Sequence, residues 1–110
     1  MKIINLTPHA ITVRLESGDR VFEPSGTEAR VATTATPAGE VDGIPVVTQT
    51  YGEIEDLPAP EPDTLYLVSA IVLAAAKEAG RTDCIAPDTS PQGAIRDEAG
   101  RIVAVRRFVR

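Results

Sequence analysis

A chain of 110 residues falls within the size of one domain, so residues 1–110 are expected to build a single core. A hydrophobic fraction of 43% with 25% charged residues excludes the composition of a disordered chain, and a formal net charge of −5 removes the nonspecific attraction by which proteins hold a phosphate backbone. Nucleic acid is therefore not an expected partner, the less so because aromatic residues are limited to Phe22, Tyr51, Tyr66 and Phe108 and offer no platform for stacking bases.

The single cysteine, Cys84, excludes an intrachain disulfide and fits a reducing, cytoplasmic compartment. The first ten residues lack the apolar run of a secretory signal. The longest apolar stretch, residues 65–76, is interrupted by Ser69 and is shorter than the roughly 20 residues of a bilayer span, so no membrane partner is expected.

In chain order, residues 3–6 read as a strand, and residues 11–16 and 20–23 flank the turn Ser17-Gly18-Asp19 as a hairpin. After the turn Pro24-Ser25-Gly26, the alternation over residues 29–34 suits a strand with one buried face, and residues 35–40 read as loop. Asp42-Gly43 is a tight-turn dipeptide, followed by a β-branched strand over residues 45–51. Pro58, Pro60 and Pro62 alternate in a stiff, extended connector. Residues 64–68 form an apolar strand, and residues 69–79 a helix capped by Ser69 and ended by Gly80, its alanines permitting close burial against a sheet. With a strand over residues 83–86, residues 64–86 become a strand, helix, strand crossover, which makes the two strands parallel and the connection right-handed. Residues 94–96 and 101–109 flank Asp97-Glu98-Ala99-Gly100 as a last hairpin. The fold class is α+β: one small domain with a mixed, mostly antiparallel sheet and one buried helix in the crossover.

Chemistry is sparse. A P-loop, a dinucleotide-binding glycine fingerprint, a zinc spacing of Cys and His and a nucleophile elbow are all missing from the sequence, and no cofactor is expected. If residues 64–86 form the crossover, Ser69 and residues 87–91 share the carboxyl edge of the sheet, where open α/β sheets bind ligands. The helix amino terminus would there face Asp88, Thr89 and Ser90, a setting for an anion or a hydroxyl-bearing ligand. The plainer reading of the same residues is that Ser69 only caps the helix and that Asp88-Thr89-Ser90-Pro91 is an Asx-type turn. His9, in the bend Asn5-Leu6-Thr7-Pro8-His9-Ala10, reads either as a turn residue or as a general acid or base. Arg81 is placed to pair with Asp83 or with the last helix carbonyls, and Arg96 with Asp97. Asp83 and Asp88, at opposite ends of one short strand, point away from a common ion, so no metal site is expected.

Charge is unevenly spread: Glu40, Asp42, Glu53, Glu55, Asp56, Glu61 and Asp63 crowd the middle, while Arg101, Arg106, Arg107 and Arg110 crowd the end. The basic end reads as a solvated edge strand that blocks sheet-to-sheet association, or as a strand that meets an acidic ligand.

Together, Asn5-Leu6-Thr7-Pro8-His9, Pro24-Ser25-Gly26 with Ala29-Arg30-Val31, Asp42-Gly43-Ile44-Pro45-Val46, Leu65-Tyr66-Leu67-Val68-Ser69-Ala70 and Ala86-Pro87-Asp88-Thr89 resemble a family of small bacterial and phage-borne proteins of unknown activity. The resemblance spans nearly the whole chain and implies a bacterial or viral cytoplasmic setting, with no residue roles attached. Three functions follow as expectations. The first is a non-enzymatic binding module for a small anionic or nucleotide-like ligand at Ser69, Asp88, Thr89 and Ser90, built across a homo-oligomer interface with Arg106 or Arg107 of a neighbouring subunit as countercharge. The second is a small hydrolase or nuclease-like enzyme in which His9 moves protons and Asp88 orients it or a water. The third is a protein-interaction or assembly component that pairs through its arginine-bearing terminal strand.

Overall fold

In the computed structural model, which describes all 110 residues, apolar runs separated by turn residues become ten strands and one helix. In chain order these are β1 (Lys2–Asn5), β2 (Ile11–Leu15), β3 (Gly18–Phe22), β4 (Arg30–Val41), β5 (Ile44–Glu55), β6 (Thr64–Leu67), α1 (Ala70–Glu78), β7 (Cys84–Pro87), β8 (Ala94–Arg96), β9 (Ile102–Val105) and β10 (Phe108–Val109). The class is α+β, and four of the seven strand pairs are antiparallel. The single sheet expected from the sequence is instead three: a first sheet of order β1-β6-β7-β10, a second of order β3-β2-β9-β8, and a separate ribbon of β4 and β5.

The core lies under the first sheet. Thr64, Tyr66 and Leu67 of β6 are buried, as is Val68 just beyond it, and β6 pairs in parallel with both β1 and β7. The Tyr66 hydroxyl donates to the Ala59 carbonyl (3.1 Å), so the one large aromatic of the core satisfies its polar end on the proline-rich connector. Helix α1, between β6 and β7 in the chain, buries Val72, Leu73, Ala75 and Ala76; Ile71, Lys77 and Glu78 are exposed, so one stripe of the helix faces the core. Tyr66, Val68, Val72, Leu73 and Ala76 cluster with Leu6, Ala29, Cys84 and Ala86, and small side chains let helix and sheet approach closely.

Asn5 ties this core to the second sheet. Its side chain, in a residue 2% exposed, donates to the carbonyls of His9 (2.9 Å) and Phe22 (2.8 Å), while its Oδ1 accepts from the Thr7 backbone N–H (2.9 Å) and lies 2.7 Å from the Thr7 hydroxyl. Its own carbonyl accepts from Ser25 N–H (3.0 Å), and the Leu6 carbonyl from Ala29 N–H (3.0 Å). One buried amide thus holds the first bend to the end of β3, with every polar atom of its side chain used, and the Leu6 carbonyl beside it holds the entry to β4.

Two expectations require correction. Residues 35–40 are strand rather than loop, because Ala35, Thr36 and Pro37 pair with Gln49, Thr48 and Val47, and a bulge between Pro37 and Glu40 absorbs the remaining residues. Residues 29–34 have no continuous buried face: Ala29 is buried and Val31 half-buried, but the rest are exposed, because β4 leaves the body with β5. The ribbon accounts for a radius of gyration of 16.2 Å, against about 13 Å for a compact domain of this length, and for principal extents of 52 × 39 × 21 Å.

Replacing Asn5 with Ala strands the Thr7, His9 and Phe22 groups at once and should lower unfolding free energy by about 2–3 kcal/mol, read by urea denaturation at constant m. A loss below about 0.5 kcal/mol, the scatter of ordinary surface changes, would deny the amide this role.

Candidate functional site

The chain crosses from the second sheet to the first at Arg106-Arg107, between β9 and β10, and of the predicted ligand residues Asp88, Ser90 and the two arginines lie at this seam. The expected single terminal strand over 101–109 is therefore corrected to two short strands in different sheets. Arg106 N–H donates to the Gly93 carbonyl (2.7 Å) and Asp88 N–H to the Arg107 carbonyl (3.1 Å), bonds that turn the backbone out of β9. Across the seam the Phe22 and Phe108 rings meet edge to face, 5.6 Å between centroids at 63°.

Asp88 is the polar centre of the seam. Its carboxylate is 8% exposed, accepts from Ser90 N–H (3.0 Å) and from Arg107 Nε, and leaves the arginine side chain 59% exposed. Hydrogen bonds from Ser90 first, and then from Arg107, hold this carboxyl down to about 2 from an ordinary 3.8. Gly93 sits directly against it: a Cβ there would overlap Asp88 Cγ and stand 2.6 Å from the Asp88 carbonyl oxygen. Arg107, expected to offer countercharge to an anionic ligand from a neighbouring subunit, is here engaged with Asp88 of its own chain, and both carboxylate oxygens are occupied.

The other predicted residues divide around this clamp. Ser69 caps α1, its Oγ accepting from Val72 N–H at a long 3.4 Å. The Asp88-Ser90 contact is that of an Asx turn. Arg106 points Nη1 toward the Ala94 carbonyl (3.5 Å). His9 and Thr89 do come together: with Ala10, Ile11, Thr12, Pro87 and residues 102–105 they line a cavity of about 330 Å³ between the start of β2, the end of β7 and β9. Its wall is mostly aliphatic. Asp88 does not reach the histidine as an orienting base would, because it is held by Arg107 and Ser90.

Asp83 is likewise held locally, with Arg81 Nε and Nη2 on its two oxygens at 2.9 and 2.8 Å, and its carboxyl is lowered chiefly by that contact. Burial pushes the Cys84 thiol up, which disfavours the thiolate. Arg96 donates to the Gly100 carbonyl (2.6 Å) instead of pairing with Asp97, whose Oδ1 accepts from the N–H groups of Ala99 and Arg101.

The ribbon is the feature that sequence reading did not single out. Asp42 and Gly43 at its tip have φ of +52° and +77°, the consecutive positive values of a hairpin turn matched to strand twist. Val41 and Ile44, the cross-strand pair flanking that turn, are 62% and 65% exposed; Val46 and Val47 follow, also exposed. The sequence signal was present: Asp-Gly between two runs rich in threonine and valine.

No helix is long and apolar enough to cross a membrane. Comparison with family models, with curated proteins and with solved structures finds no match to the chain.

Because the Asp88 carboxyl is lower in the folded protein than when unfolded, its contribution to stability is full above about pH 4 and fades as pH falls toward 2. Asp88→Asn should therefore be less stable than the parent at pH 7 and show a flatter loss between pH 4 and 2, measured by thermal unfolding across pH; parallel acid limbs would contradict the clamp. Gly93→Ala should cost about 1–3 kcal/mol, as overpacking against a fixed neighbour does.

Proposed function

We propose that this protein is an interaction or assembly component that engages a protein partner through the β4–β5 arm. The observation that carries the reading is the arm itself: two paired strands of 12 residues each, exposed on nearly every residue and bearing Val41, Ile44, Val46 and Val47 in water. An isolated two-stranded hairpin is marginal, so a long one that buries little of itself needs anchoring. Its base supplies this. Val31 and Ile54 pack on the core with Leu57, and Arg30 reaches Asp56 (3.6 Å). In this reading β6, α1 and β7 form a right-handed crossover that serves as the anchoring block, in a bacterial or viral cytoplasmic setting.

A binding module for a small anion has less support, because Asp88 and Arg107 neutralise each other and Ser69 is used in capping. The arm also replaces the terminal strand as the pairing element of the assembly reading. β9 lies inside the second sheet and β10 has two residues, whereas the arm carries Val41 and Ile44 exposed at its tip.

Val41→Asp with Ile44→Asp should leave the unfolding free energy, read by urea denaturation, within about 0.5 kcal/mol of the parent, since neither side chain packs on the body. A photocrosslinking residue at position 47 should capture protein in cells making the chain, while the same residue at exposed Thr82 should not. Equal capture at both positions, or none at 47, would overturn the reading.

A further inference from the structure

Resting on that reading, we infer that the partner of the arm is a second copy of this chain, whose seam cavity receives the Val41–Ile44 tip. Tip and cavity are complementary in apolar character and in charge. Val41 and Ile44 are directly opposite in the ribbon, so their side chains stand on one face and form an apolar knob next to the turn. The cavity of about 330 Å³ is walled by Ala10, Ile11, Pro87 and residues 102–105, with Ile102 and Val103 40% and 47% exposed at its rim.

Charge fixes the direction. Between residues 30 and 55 the arm has four acids, Glu40, Asp42, Glu53 and Glu55, against Arg30 alone. Residues 94–110 have five arginines against Asp97 and Glu98, and Arg101 and Arg106 bracket the strand that walls the cavity. The acids nearest the knob, Glu40 and Asp42, thus meet the arginines nearest the hole. Two arms would repel each other, as would two basic ends, so the arrangement selects knob into hole over like on like. Because the two surfaces differ, the contact is heterologous: one subunit keeps its hole free and the other its knob, which propagates into a ring or a filament.

The test uses the full chain and two crippled versions: Val41→Asp/Ile44→Asp, which loses the knob, and Val103→Asp, which spoils the hole at an exposed rim position. Sedimentation velocity should show the parent associating with concentration, each variant monomeric alone, and the 1:1 mixture forming dimers through the one intact knob and hole. Arg101→Glu/Arg106→Glu should weaken parent association about tenfold, and added salt should weaken it in the parent. As a second measurement independent of loss of association, Ile44→Cys and Val103→Cys chains, oxidised together, should give the mixed disulfide in excess of either homodimer. A parent that is monomeric throughout, a mixture that does not dimerise, or mixed disulfide no greater than the homodimers overturns the second-copy inference. If position 47 still captures a different protein in cells, the arm reading stands without it; if it captures nothing, both fall.

Discussion

The Asp88–Arg107 contact is the constraint on which the rest of the arrangement depends. A chain with four aromatic residues cannot weld two sheets together with a broad ring-filled interface, and only the Phe22–Phe108 pair spans this seam as an aromatic contact. The joint is therefore made by directional polar bonds. The backbone bond from Arg106 to Gly93 fixes where the chain leaves β9, and Asp88 with its arginine carries the β7–β10 pairing of the first sheet up to that crossing point. Such a pair has to offset the loss of water around the carboxylate, and it does so by filling both oxygens and leaving the guanidinium mostly solvated. Gly93 follows as a requirement, since any side chain there would occupy the place of the carboxyl group.

Asn5 does at one end of the seam what Asp88 does at the other. Both are short polar residues, both are nearly buried, and both have their hydrogen-bonding capacity consumed by backbone groups or by one arginine. Between them lies the cavity lined by His9 and Thr89, whose wall is mostly aliphatic because Asn5 and Asp88 are committed elsewhere. The same economy accounts for Ser69, which caps the helix, and for Asp88, which holds the seam. A short chain with a small core spends its buried polar side chains on holding elements in register before any are left to meet a ligand.

The strand, helix and strand of residues 64–86 were legible because each boundary has its own chemistry: a continuous apolar run, a serine cap, an alanine-rich stripe, a glycine stop. Parallel pairing of β6 and β7 is what a helix of that length between two strands implies. The division into three sheets was not legible, because the residues that decide it act across the chain. Nothing near Arg106 marks a change of sheet; the cause is Gly93 and Asp88, more than ten positions earlier. In the ribbon the local signals were correct and the inference from them was not. Proline at 37 and glycine at 39 ordinarily announce a loop, but a strand with a free edge tolerates a missing N–H and a bulge takes up the glycine. Alternation over residues 29–34 reported strand faithfully and burial not at all, since exposed threonines satisfy a pleated ribbon as well as buried valines do.

A ribbon with two open edges invites indiscriminate pairing, and its composition shows where contact is discouraged and where it is not. Along the edges Pro37 and Pro45 remove donors, bulges between Val31 and Thr33 and between Pro37 and Glu40 break the ladder, and Glu53 and Glu55 place charge at the base. Thr34 faces Thr50 and Thr36 faces Thr48, a polar cross-strand column in place of a hydrophobic one. The guard is lowered most at the tip, where Val41 and Ile44, more exposed than Val46 and Val47, stand beside a turn that holds them in one orientation. Apolar side chains scattered over a surface need no explanation, but a protected shaft ending in an unprotected apolar pair is a division between strands that must not pair and a point that must. Specificity in such an arm comes from its end, and the sides serve to carry that end away from the body.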